Sequence, residues 1–238
     1  MLREPPLLVR VDENGGVVES IYRSSERYRD DFSRVEAFWL ANREWVAESL
    51  RTNPGSNYQG RRGSMVIDAI CSRQRKYSSR VLPLVAKWES TNSEPTLAQL
   101  SESALGDLQK LGLLESEPQT LVDVAKGFLK FGQERSIRDE DQIVKQWALE
   151  VQELRHFTKL DPYVGSVPGV GPALFAYMRM LSGVDALKVD LRVSKALRRL
   201  GTYVPADTTA TLHLCELYAE DLGITLRELD RLLYGNLT

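Results

Sequence analysis

The sequence predicts an all-α fold. Apolar residues recur at three- and four-residue spacing along most of the chain, and capping residues and glycines punctuate those stretches. After residue 25 no segment alternates apolar and polar positions in the manner of a half-buried strand. With 238 residues, 42% of them hydrophobic, the chain is long enough to bury a full core in one or two lobes.

Residues 7–11 and 17–22 flank Asp12-Glu-Asn-Gly-Gly16, a turn that favours a short hairpin. A helix is expected from about residue 31 to residue 50, with Phe32, Val35, Trp39 and Val46 near one face. Residues 51–63, rich in Gly, Asn and Arg, read as an exposed loop. Ser64 is expected to cap the next helix, which turns Val66, Ile67, Ile70 and Cys71 inward. Val81, Leu84, Val85 and Trp88 repeat at i, i+3, i+4 and i+7, with Pro83 placed in the first turn. Thr96 opens a short helix on Leu97 and Leu100, and Ala104, Leu105, Leu108 and Leu111 form another that Gly112 stops. Residues 121–131 and 141–157 are longer amphipathic stretches, the second built on Ile143, Trp147, Val151 and Leu154. Further helices are expected at 173–181, 192–200, 208–222 and 226–233.

Composition excludes several classes. No apolar run is long enough to span a membrane, and Met1-Leu-Arg-Glu-Pro-Pro6 does not read as a signal peptide, so a cytoplasmic protein is expected. Cys71 and Cys215 are the only cysteines, which rules out a disulfide framework or a four-cysteine metal or iron–sulfur site; both read as buried thiols. His156 and His213 are too few and too far apart in sequence to argue a metal site. The net charge of -2 and a pI near 5.9 do not advertise a nucleic-acid binder. The charge is uneven, however. Lys188, Arg192, Lys195, Arg198 and Arg199 form one basic cluster, and Arg61, Arg62, Arg73, Arg75, Lys76 and Arg80 another. Each is either a patch that steers a phosphate backbone or a solvated helix face.

The stretch richest in chemistry is Val167-Pro-Gly-Val-Gly171 with Pro172 and the apolar helix behind it, followed by Val189-Asp-Leu-Arg192. A glycine hairpin that opens a helix turns backbone N–H groups toward one point, where the helix N-terminus adds partial positive charge. That is a phosphate site. Asp190 follows Gly171 by nineteen residues and reads either as a catalytic carboxylate or as the N-cap of the helix behind it, roles that are compatible.

Several blocks, in order, resemble the helix-hairpin-helix DNA glycosylases of the endonuclease III superfamily. Ile70-Cys-Ser-Arg-Gln74 is similar to a helix end that carries an intercalating glutamine. Leu111-Gly-Leu-Leu-Glu-Ser116 resembles the turn before the motif, Val167-Pro-Gly-Val-Gly171 the hairpin, and Val189-Asp190 the segment with the catalytic aspartate. Arg199-Leu-Gly201 and Leu229-Asp-Arg-Leu-Leu-Tyr-Gly235 resemble the elements that follow. The resemblance covers about residues 64–201 and the C-terminus, and leaves out residues 1–30. It implies two helical lobes with a cleft between them, one built from residues 1–62 and 185–238 and the other from 63–184. It implies a nucleoid-associated enzyme that flips a modified base out of double-stranded DNA and hydrolyses its N-glycosidic bond. In that reading Asp190 stabilises the oxocarbenium-like sugar, while Val167, Gly169, Val170, Gly171, Arg73, Arg192, Lys195 and Arg198 bind DNA. Gln74 fills the vacated stack, with Arg73 and Tyr77 as alternatives.

Departures from the family matter as much. Bifunctional members carry a lysine where this chain has Ala173, so the resemblance points to a monofunctional enzyme. Glu117-Pro118 replaces a lysine–alanine pair. Asp68 lies two residues from the position of a second carboxylate in adenine-specific members, and otherwise reads as a solvated or capping acid. Trp39, Trp45, Tyr58 and Trp147 are either core or base-pocket residues. No cofactor is expected beyond a monovalent cation at the hairpin carbonyls, and no obligate protein partner is evident. The competing expectation is a non-catalytic DNA-binding or damage-sensing module. The base excised, and a repair role against defence from modified phage DNA, stay open.

Overall fold

The structure is a computed structural model that describes residues 9–11, 17–51, 58–73 and 75–235. It is all-α apart from one small hairpin: β1 (Val9–Val11) pairs antiparallel with β2 (Val17–Ser20), with a register irregularity between Arg10 and Val11. Contacts divide the chain into two compact units, the first from residues 1–51 and 187–238, the second from residues 52–186. The first internal boundary falls before residue 58 rather than at 62/63. Tyr58 and Gly60 belong to the second unit because they bond to Asp68 and Asp141 there.

In the first unit, α1 (Glu26–Ser49) starts earlier than periodicity suggests, because the Ser25 hydroxyl accepts the Tyr28 N–H as an N-cap. Packed with it are α9 (Leu191–Arg199), α10 (Thr208–Leu222) and α11 (Leu226–Gly235), around a core that includes Val35, Val46, Leu197, Leu214, Cys215, Tyr218 and Leu229. Two carboxylates stitch the sequence-distant halves together. Buried Asp31 on α1 accepts the Tyr203 N–H at 2.8 Å, and Tyr28 donates to Asp221 at 2.6 Å.

The second unit is organised about α2 (Arg62–Cys71), every residue of which is buried. A helix covered on all sides must be packed all round, and α2 touches α3 (Leu82–Thr91), α4 (Leu97–Glu102), α6 (Glu117–Glu134), α7 (Glu140–Glu150) and α8 (Pro172–Leu181). The short α5 (Leu105–Gln109) lies between α4 and α6 in sequence. Two expectations fail here. The loop is not exposed at its end, and Ser64 does not cap α2. The helix begins three residues earlier, with Arg61 at the cap position and Gly63 N donating to the Pro95 carbonyl, so Ser64 sits inside the first turn, fully buried. A Cβ at Gly63 would meet that same carbonyl oxygen at 2.8 Å, which requires glycine. The expected 141–157 helix also ends early. Regular α7 stops at Glu150 and continues as a 3₁₀ turn, Val151–Leu154.

Candidate functional site

Local geometry around the hairpin follows from four peptide units. Gly169 has φ +89°, a left-handed conformation that L side chains rarely adopt. Val167 and Val170 are buried and anchor the turn, whereas Pro168 and Gly169 are exposed. Gly171 is the N-cap of α8 at φ −104° and ψ 177°, and Pro172 occupies the first turn. Among the described residues, the N–H groups of Gly169, Gly171, Ala173 and Leu174 meet no acceptor. The carbonyl ends of the same turn are fixed. Thr120 Oγ1 lies 3.1 Å from the Pro168 oxygen, and Lys159 Nζ lies 2.7 Å from that of Val170 and 3.2 Å from that of Val167. In a trans peptide the C=O and N–H point opposite ways. Lys159 therefore aims the Gly171 N–H outward, and Thr120, whose single hydroxyl proton is shared between the Pro168 and Ser116 oxygens at 3.1 Å each, supports the same direction at Gly169.

The turn feeding the hairpin is held by Asp161, which is fully buried. Its carboxylate accepts from Tyr163 N, Val164 N, Gly165 N and Trp147 Nε1 at 2.8–3.2 Å. Four donors satisfy a buried carboxylate, which would otherwise be costly. Sequence reasoning missed Asp161, Thr120 and Lys159. Only Asp161 left a local sign, an Asp-Pro pair ahead of a glycine turn. Trp147, a pocket candidate, is core: it is fully buried and packs edge-on against Phe128 and Phe175.

Gly169 and Gly171 are glycines for different reasons. A Cβ at Gly169 would lie 2.8 Å from Thr120 Oγ1, whereas a Cβ at Gly171 would meet nothing within 4 Å. Neither backbone angle nor packing demands glycine at 171. What its missing side chain keeps clear is the approach to the α8 amides.

Asp68 is neither solvated nor a cap. It is completely buried in α2 and accepts hydrogen bonds from Tyr58, from Tyr77 at 2.8 Å and from Tyr177 at 3.2 Å. Burial and the Asp68 charge push all three phenols up, Tyr77 to about 12, so they stay protonated donors at neutral pH. The cluster pins α2 to α8 and to the 77–81 turn. It also commits the Tyr77 hydroxyl, one of the intercalation candidates, to an internal bond. Gln74, the first of those candidates, lies outside the described residues, while Arg73 is half-buried at the end of α2.

Half of the basic cluster around it is spent. Arg62 is buried and paired with Asp141 at 2.5 Å, Arg75 makes a two-pronged bond to buried Glu117 at 2.5 and 2.7 Å, and Arg61 pairs with Glu89 at 2.7 Å. These three do not form a phosphate patch. Arg73, Lys76 and Arg80 are the members left without an ion pair among the described residues.

In the first unit, Asp190 is the N-cap of α9, and its Oδ1 accepts from Arg192 N at 2.8 Å and Val193 N at 3.2 Å. Its side chain is half-buried, and Oδ2 accepts no bond from a described residue. From α11, Asp230 accepts the Lys188 N–H at 3.1 Å, and Tyr234 bonds to the Arg192 guanidinium, which also lies 4.8 Å over its ring. Contacts two residues to either side thus brace Asp190. Burial, with the neighbouring Asp190 charge, pushes the Asp230 carboxyl up to about 7. On α9, Lys195, Arg198 and Arg199 are exposed and make no ion pair with a described residue, whereas Arg192 is engaged by Tyr234.

Both cysteines are buried, and burial raises their thiols, Cys71 to about 12, so neither is a reactive thiolate. Among the described residues no three His, Cys, Asp or Glu side chains gather to hold a metal ion, and no helix is long and apolar enough to cross a membrane. No protein-family model and no curated protein matches the chain.

Proposed function

We propose that this chain is a monofunctional DNA glycosylase of helix-hairpin-helix type, which hydrolyses the N-glycosidic bond of a modified base in double-stranded DNA. The observation that carries the reading is the state of Asp190. Two backbone N–H groups hold its Oδ1 in place, while Oδ2 accepts nothing from the described residues. A fixed carboxylate with one free oxygen suits a reaction in which the deoxyribose gains positive charge as the base leaves, because it stabilises the transition state more than the ground state. The same oxygen can orient or deprotonate the attacking water.

The open amides of Gly169, Gly171, Ala173 and Leu174 support binding of a backbone phosphate, and exposed Lys195 and Arg198 support non-specific attraction to the duplex. Ahead of the hairpin stands one 3₁₀ turn, Thr158–Leu160, in place of the longer helix such a motif would carry, so the hairpin here depends on Asp161 and Lys159 for its shape. At position 173 a methyl group stands in place of an amine, which supports simple hydrolysis over imine formation.

The test is incubation with a panel of duplexes carrying alkylated, oxidised, deaminated or bulky phage-type bases, read with and without alkali and with borohydride trapping. The expected product is an intact strand with an abasic site, nicked only after alkali, and no trapped adduct. A trapped adduct lost in Lys188→Ala would overturn the monofunctional assignment. Duplex binding with no base released from any substrate would instead establish a non-catalytic DNA-binding module.

A further inference from the structure

A monovalent cation at the hairpin needs converging carbonyl oxygens that no other cation occupies, and this hairpin does not offer them. Of its five carbonyls, that of Pro168 lies at Thr120 Oγ1, that of Gly171 accepts the Phe175 N–H at 3.0 Å, and those of Val167 and Val170 carry the Lys159 ammonium. Only the Gly169 oxygen has no partner among the described residues. A metal ion and an ammonium cannot share the same two oxygens.

We infer that the Lys159 ammonium is the hairpin's own cation, standing where a monovalent metal ion would otherwise sit and setting the direction of the Gly171 N–H. An ammonium suits the task. It is a compact point charge with three donors, so it can span two carbonyls of one turn. Its stem leaves the 3₁₀ turn Thr158–Leu160, whose neighbour Asp161 already grips the following turn through three backbone N–H groups. The amine is therefore presented to the hairpin from a braced segment. The consequence runs through one peptide. With the Val170 oxygen held, the Gly171 N–H cannot rotate inward, and the phosphate-facing amides keep their direction without an ion from solution. Removing the amine leaves two converging carbonyls with an open place between them, and that place fits K⁺ or Na⁺.

The role in DNA binding rests on the function proposed above, but the cation role is measurable without DNA. Thermal unfolding of wild type, Lys159→Met and Lys159→Ala is compared in KCl, NaCl and choline chloride at equal ionic strength, alongside duplex affinity by fluorescence anisotropy. Wild type should unfold at the same temperature and bind equally in all three salts. The variants should lose stability in choline, and their affinity should fall about tenfold there, the worth of one charge-assisted hydrogen bond. Both should recover in KCl to within about twofold of wild type. A variant that folds but behaves alike in every salt overturns the inference, as does a wild type that is stabilised by K⁺ over choline. If neither variant folds in any salt, the wild-type comparison decides alone: indifference supports the inference and K⁺ dependence refutes it. If wild type binds no duplex, the proposed function fails while the unfolding data still judge Lys159.

Discussion

Replacing each hairpin glycine with alanine separates a residue kept for its fold from one kept for what approaches it. At Gly171 the backbone is extended, and a Cβ would meet nothing within 4 Å. Alanine is a poorer N-cap than glycine by up to about 1 kcal/mol, and the stiffer unfolded chain returns about 0.4–1 kcal/mol, so Gly171→Ala should leave stability within ~0.5 kcal/mol. At Gly169, φ +89° costs an alanine about 1–2 kcal/mol. Its Cβ, 2.8 Å from Thr120 Oγ1, adds roughly 1–3 kcal/mol of overpacking and pushes away the hydroxyl that holds the Pro168 carbonyl. Gly169→Ala should therefore be destabilised by about 2–4 kcal/mol, the lower part of the summed range because a side chain can give way. Binding should show the reverse pattern for its size. A methyl group at 171 intrudes where a phosphate oxygen reaches the Gly171 and Ala173 amides, and loss of one charge-assisted bond is worth about 1.5–3 kcal/mol, or roughly 10- to 150-fold. Urea denaturation gives the stabilities, and anisotropy on a labelled duplex at low salt gives the affinities. If Gly171→Ala binds like wild type, or is the less stable of the two variants, the amides of α8 are not a phosphate site.

Three other outcomes follow. Asp190→Asn keeps a good cap for α9, since asparagine caps as well as aspartate, yet single-turnover base release should fall a hundredfold or more, on the order of 3 kcal/mol; a near wild-type rate refutes the catalytic role. Lys195→Ala and Arg198→Ala should each weaken binding to all duplexes alike and lower the salt slope by about one unit at most; a changed base preference would contradict backbone contact. Asp230, with its folded carboxyl raised to about 7, is most favourable to the fold while protonated, so its contribution is complete below the ordinary aspartate range and is lost as pH rises toward 7. Asp230→Asn keeps an acceptor for the Lys188 N–H and cannot ionise, so its unfolding free energy relative to wild type should climb between about pH 4 and 7 and then level; a flat difference refutes the shift.

Helices were legible where their determinants are local. The 208–222 helix matches α10, closed by an Asp207 cap at one end and left-handed Gly223 at the other, and Thr96 caps α4 by accepting the Gln99 N–H. Ser25, a local cap, was overlooked at the start of α1, and two further errors fell where a distant partner sets the end. Helix α2 starts at Arg62 because Pro95, more than thirty residues on, accepts the Gly63 N–H. Helix α6 reaches back to Glu117 because that buried carboxylate is clamped by Arg75 and accepts the Leu114 N–H. Periodicity cannot carry such information, since a Gly–Pro contact leaves no pattern and Arg75 and Glu117 look like surface charges in a one-dimensional reading.

The same limit decides which cations count. Arg62, Arg75 and Lys195 are alike as letters, but the first two are consumed by carboxylates 79 and 42 residues away. A buried pair of this kind holds its unit together and presents no free charge to a duplex, so it leaves the salt dependence of binding unchanged. The cations left to act are those whose helix turns them outward with no acid opposite, as on α9. Under the proposed function, a chain with net charge -2 would hold a phosphate backbone through such unpaired positive charge rather than through the sum over the chain. The hairpin motif was readable for its backbone consequence, the open amides, because glycine and proline act on φ directly. What orients those amides was not, because Thr120 lies 48 residues before the carbonyl it reaches, and a lysine eight residues ahead of a hairpin has no local signature.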